Sequence, residues 1–170
     1  MENENKRLAA IRSSLINSEP GALVSVISSL RNDESCPGVI PLLAKLHESN
    51  SDVELRSELE KFFYDLKDQS LADELISTID NSVNQDTRVM LISSCWQSAI
   101  DFSDYLHKFT EWSINGSYLE LIECYSVIEN ISDTADADQK KEAVLRITNS
   151  AAGRNDDKSK LLNEIANLLK

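Results

Sequence analysis

The chain has 170 residues, 41% of them apolar, and its 29 acidic side chains against 17 basic ones leave a net charge of −12 at neutral pH. That length supports one domain with a core of its own, while four glycines and three prolines leave little material for tight β-turns. The charge argues against nucleic acid and against an anionic membrane surface as partners, and favours a basic protein surface.

The acid is concentrated. Residues 51–130 carry 16 acidic against 5 basic side chains, whereas 1–50 carry 6 against 5 and 131–170 carry 7 against 7. Part of any such excess simply keeps a helical protein in solution.

Ten helical segments are predicted in chain order from apolar residues recurring at three- and four-residue steps. The first, about residues 3–17, aligns Leu8, Ile11, Leu15 and Ile16. A break at Ser18-Glu19-Pro20-Gly21 restarts the chain, with Pro20 suited to a first helical turn. The second carries Leu23, Val26, Ile27 and Leu30 to about Asn32, and residues 33–37 form the next break. The third, 37–48, has Val39, Ile40, Leu42, Leu43 and Leu46. Asn50-Ser51-Asp52 is expected to cap the fourth through a short side-chain oxygen. Leu55, Leu59, Phe62, Phe63 and Leu66 form that helix's stripe.

The fifth helix, from about Ser70, offers Leu71, Leu75, Ile76 and Ile79. Asn84-Gln85-Asp86 caps the sixth, whose stripe is Val89, Ile92, Trp96 and Ile100. The seventh, 102–113, has Tyr105, Leu106, Phe109 and Trp112, and Gly116 is expected to take the left-handed conformation common at helix ends. The eighth carries Tyr118, Leu121, Ile122, Tyr125 and Ile128. After a polar loop at 132–138, the ninth has Ala143, Val144 and Ile147; a break at 153–156 precedes the tenth, with Leu161, Leu162, Ile165, Leu168 and Leu169.

The short connections predict antiparallel neighbours. Asp52-Val53-Glu54-Leu55-Arg56, Asp86-Thr87-Arg88-Val89 and Asn115-Gly116-Ser117-Tyr118 each precede an apolar stripe. Helices three to eight therefore read as hairpins of roughly 30–34 residues, a period typical of stacked helical repeats. On Asp52, Leu55 and Arg56, on Asp86 to Val89, and on the run Pro37-Gly38-Val39-Ile40-Pro41-Leu42-Leu43, the chain resembles the HEAT-repeat family of α-solenoids. The resemblance is clearest over residues 36–100 and extends to about 130. Arg88 sits early relative to Arg56, and the eighth helix has neither the Asp nor the Arg. The fold it implies is all-α: a single solenoid domain over 1–170 of about five antiparallel hairpins. Its clearest repeats are 36–68, 69–100 and 101–130, with 1–35 and 131–170 as capping hairpins. HEAT-type proteins are binding platforms, usually without catalysis, and the second helices of their hairpins line the concave side.

No catalytic or cofactor signature is found. Cys36, Cys95, Cys124, His47 and His107 are too widely spaced for a zinc motif, and three scattered cysteines suit a reducing compartment. The chain contains no phosphate-loop, dinucleotide, zincin or nucleophile-elbow motif. The carboxylate pairs Asp73–Glu74 and Asp101–Asp104 lie on predicted helix surfaces rather than in an evident pocket. No cofactor or metal is expected. The start of the chain lacks the apolar segment of a signal peptide and no run is long enough to span a membrane, so a cytoplasmic monomer is expected and the sequons at Asn115 and Asn130 carry no weight.

The function expected is that of a non-enzymatic adaptor or scaffold. It would bind a basic protein through an acidic concave surface lined by the fourth, sixth and eighth helices. The candidate binding residues are Glu54, Glu58, Lys61, Asp65, Arg88, Gln97, Trp112, Tyr118, Glu120 and Glu123. Trp112 and Tyr118 are included because rings near helix ends, ringed by acid, suit a basic partner. The alternative is a stoichiometric inhibitor, of the immunity type, that neutralises a basic toxin or nuclease.

Overall fold

In the computed structural model the described residues are 2–17, 20–32 and 35–170. They form ten α-helices and, among them, no strand: α1 Glu2–Asn17, α2 Pro20–Leu30, α3 Val39–Ser49, α4 Val53–Tyr64, α5 Ala72–Asn81, α6 Gln85–Gln97, α7 Leu106–Asn115, α8 Tyr118–Ile131, α9 Ala137–Ala151 and α10 Asp157–Leu168. Short 3₁₀ turns at Gln69–Leu71 and Ser103–Tyr105 lead into α5 and α7. The breaks read at 18–19 and 33–34 lie outside the described residues. No helix is long and apolar enough to cross a membrane, among the residues described.

The chain divides into two compact units, residues 1–100 and 101–170. In the first, α2, α4 and α6 lie side by side, as do α1, α3 and α5, and α3 also packs on α4 and α6. Each helix is short, so its stability comes from burying an apolar face rather than from propensity. Ile27, Ile40, Leu43, Leu55, Leu59, Phe63, Leu75, Ile79, Leu91 and Ile92 are fully enclosed. In the second unit α7 packs on α8 and α9, and α10 on α8 and α9. The four helices enclose Phe102, Leu106, Phe109, Trp112, Leu121, Cys124, Val127, Ile128, Ile147, Leu162 and Ile165. Ile16 and Trp96, expected in core stripes, are instead exposed. The buried side of α6 is Met90, Leu91, Ile92 and Cys95, rotated away from Trp96.

The caps account for most helix starts. Asp52 accepts from the Leu55 amide (2.9 Å) and Asn84 from that of Thr87 (3.0 Å). Asn84, rather than Asp86, is therefore the residue equivalent to Asp52, and Arg56 and Arg88 then each occupy the fourth helical position. The start of α8, which lacks the Asp of the other two, is a complete capping box: Ser117 accepts from the Glu120 amide (3.3 Å), and the Glu120 carboxylate accepts from the Ser117 amide. The Ser-x-x-Glu pattern that writes it was legible in the sequence. Gly116 is not left-handed. Its φ is −75°, an angle open to any residue; a Cβ there would lie 2.6 Å from the Trp112 carbonyl oxygen and 2.5 Å from the Glu120 carboxylate. It is glycine for want of space.

Gly38, ahead of α3, does have a positive φ of 89°, and a Cβ on it would meet Leu8 at 2.6 Å. It offers no side-chain cap, and the first donors of α3 go elsewhere: the Gly38 amide reaches both carboxylate oxygens of Glu74 (2.9 Å each), and the Ile40 amide reaches one (3.1 Å). Gly38→Ala combines left-handed strain with that steric clash, and is expected to cost about 1–2 kcal/mol, measurable as a lowered denaturation midpoint.

His47 of α3 is fully enclosed. Its Nδ1 bonds the Thr87 hydroxyl of α6 (2.9 Å), while Nε2 lacks a hydrogen-bond partner, with the Glu60 carboxylate of α4 3.9 Å away. Burial, with a smaller contribution from Arg56 and against a small opposing one from Asp86, lowers its pKa from 6.5 to about 4. Because the unfolded chain takes up the proton first, the stabilisation is complete above about pH 6.5 and is lost as pH falls towards 4. The loss amounts to about 3 kcal/mol for a displacement of this size. His47→Leu should flatten that part of the stability–pH curve relative to the native chain in urea titrations between pH 7 and 4.

Candidate protein-binding face

The ten candidate binding residues fall into distinct environments. On α4, Glu54 is exposed in the first turn, but the residues that follow are engaged with Arg31, just beyond the end of α2. Arg31 Nη1 donates to Glu58 (2.9 Å), and its Nε (2.9 Å) and Nη2 donate to one oxygen of Asp65. Lys61 donates to the other oxygen of Glu58 (3.2 Å). The hydrogen bonds that Arg31 donates to Asp65, then to Glu58, raise its pKa above its already high ordinary value. Burial pushes the Glu58 carboxyl up, but Arg31 and Lys61 together outweigh it and hold the group below the usual range. Two cations and two anions make this cluster neutral. Glu58 is buried and Asp65 already carries a guanidinium, so neither offers the free acid expected of it.

Arg88 donates to the Ile79 carbonyl at the end of α5 (2.6 Å), and Gln97 to the Ser93 hydroxyl (2.8 Å). Beside the Arg31–Asp65 pair lies a cavity of about 360 Å³ lined by Leu30, Cys36, Val39, Phe62 and Leu66. Among the described residues no three His, Cys, Asp or Glu side chains are placed to hold a metal ion.

In the second unit Trp112 is 3% exposed. Its ring meets Phe109 edge-on at 5.2 Å, and Phe109 meets Phe102 in the same way at 6.1 Å. Trp112 is core, because its position on α7 shares the arc of Leu106 and Phe109. Glu120 is buried in the capping box described above. Lys158 of α10, its pKa lowered chiefly by burial, donates to the Gly116 carbonyl (2.6 Å) at the same corner. Neither Trp112 nor Glu120 can meet a partner directly.

What remains open is the outer side of α8. Its buried positions are Glu120, Leu121, Cys124, Val127, Ile128 and Ile131. The opposite side presents Tyr118 (47% exposed), Leu119 (53%) and Ile122 (38%). Glu123 is half-buried nearby, and Glu129 and Asn130 are exposed one to two turns on. The first two turns of α8 are therefore apolar on both sides, and only one side is covered. Tyr118, read both into the core stripe and onto the binding surface, is open; reading Ile122 into the core stripe hid the rest of this patch, and Leu119 was missed. The signal was present: a single core face does not need apolar residues at 118, 119, 121 and 122 together.

Removing Arg31 would leave Glu58 buried with Lys61 alone. Arg31→Met should cost about 1–3 kcal/mol in chemical denaturation, and should return the Glu58 carboxyl upward in a carbon-detected NMR titration. Compared with protein-family models, with curated proteins and with solved structures, the chain matches none of them.

Proposed function

We propose that the protein is a non-enzymatic binding module, a small solenoid of HEAT-like helical hairpins, that takes up a basic partner protein on the outer side of α8. The observation that carries the binding reading is the open cluster of Tyr118, Leu119 and Ile122 on a helix whose other side is already buried. An exposed aromatic within an apolar cluster bordered by polar groups is the composition of an interface centre.

The side-by-side rows α2–α4–α6 and α1–α3–α5 support the repeat reading, since stacked hairpins bury their apolar sides in such rows. Caps at Asp52, Asn84 and Ser117 recur 32 and 33 residues apart. A net charge of −12 supports a basic partner by long-range attraction. Glu54 and Glu123 contribute to that field, Lys61 and Gln97 stay on the module's surface without adding to it, and Glu58, Trp112 and Glu120 act within the fold.

The test is affinity capture from the native cell at low and moderate salt, using the native chain and the double variant Leu119→Glu/Ile122→Glu, with circular dichroism confirming that both are folded. A basic protein held by the native chain, released by salt and lost in the variant is the expected result. Identical capture by both chains would refute the reading.

A further inference from the structure

We infer that His47 is an acid-sensitive latch on the first unit: when its imidazole takes up a proton, α3 parts from α4 and α6, and the first unit opens ahead of the second. The inference is independent of the binding face on α8.

The position of α3 gives the latch its leverage. This helix packs against α1, α4, α5 and α6, so a change inside it reaches most of the first unit. His47 lies in its last turn, wholly enclosed, with Glu60 of α4 and Thr87 of α6 as its polar neighbours.

The ring is held on one side only. Nδ1 is 2.9 Å from the Thr87 hydroxyl, while Nε2 is buried without a hydrogen-bond partner. The tautomer that fits this site donates Nδ1–H to the hydroxyl and leaves a lone pair on Nε2. Protonation turns both nitrogens into donors. A charge and an unpaired donor then arise at one buried atom, which is costly on both counts.

The charged groups around the ring do not offset that cost. From α4, the Glu60 carboxylate stands 3.9 Å from Nε2 with its side chain 40% exposed, so it has to shed water to reach the ring. Arg56, on the same helix, opposes the proton, and Asp86 of α6 favours it by less. On α3 itself Lys45 and Glu48 are exposed. On α5, Asp73 and Asp80 are exposed, and Glu74 is spent on the Gly38 and Ile40 amides at the other end of α3. Leu8 of α1, flanked by Lys6 and Arg7, lies beside Gly38 at that same far end.

Opening therefore takes up one proton, and acid favours it. The imidazole titrates at about 4 in the closed form against 6.5 outside, so the drive grows as pH falls below about 6.5 and is complete near 4. The carboxylates held below their ordinary range, Glu58, Asp68, Asp136 and Asp156, act only below about pH 5. The other histidine, His107, is exposed. The interval above pH 5 thus belongs to His47 and to the first unit, and the second unit encloses a core of its own.

The experiment is amide hydrogen exchange of the full chain at pH 7 and pH 5, read by mass spectrometry and corrected for the pH dependence of the exchange chemistry. The native chain, His47→Gln and His47→Leu are each compared with themselves at the two pH values. Glutamine keeps a polar group beside Thr87 and cannot titrate, so a control remains where the leucine variant does not fold. In the native chain the opening constant over residues 39–49, 53–64 and 85–97 should rise about twentyfold from pH 7 to pH 5. It should stay level in the variants, and residues 106–168 should keep their protection in every chain. An equal rise in the variants, no rise in the native chain, or loss of protection over 106–168 together with 39–49 would each overturn the inference.

Discussion

Every helix in this protein is too short to hold itself. Segments of 10–16 residues are marginal as isolated helices in water, so each must bury one side against neighbours and find partners for the backbone groups at its ends. The rest of the structure follows from that pair of demands. Burial is met by rows of helices in the first unit and by mutual packing of four helices in the second. The end groups are met largely by acidic and small polar side chains.

That second demand changes how the charge of the chain is understood. Asp52, Asp136 and Asp156 each accept backbone amides at a helix start, Asp68 does so at a 3₁₀ turn, and Glu74 and Glu120 serve α3 and α8. Hydrogen bonds hold Asp68, Asp136 and Asp156 below the ordinary carboxylate range: chiefly the Ser35 hydroxyl for the first, the Gln139 amide for the second and the Ser159 amide for the third. A carboxylate at a helix N-terminus is also favoured by the helix dipole. Much of the acid in the sequence is thus architectural, and the residues left to act on a partner are fewer than the composition suggests.

The helices themselves were legible because their apolar spacing and their caps agree with each other: Asp52 and Asn84 announce α4 and α6, and Leu55–Phe63 and Leu75–Ile79 show which side goes in. The site was much less legible. Glu58 looked like surface acid because nothing in its own helix reveals Arg31, 27 residues earlier. Trp112 looked like a rim aromatic because its nearness to a helix end says nothing about which arc of α7 it occupies. Ile122 was read into the core because periodicity identifies an apolar side without saying whether a neighbour covers it. In each case the missing information is a contact distant in sequence.

The cap on α3 has a consequence for how the first unit assembles. Its leading amides are satisfied by a carboxylate 34 to 36 residues further along the chain, so the start of α3 gains its protein acceptor only once α5 has docked. Local order at Gly38 is thereby made conditional on a long-range encounter. Amide exchange at the start of α3 should report the docking of α5 rather than the intrinsic fraying of a helix end, joining two segments into one cooperative opening unit.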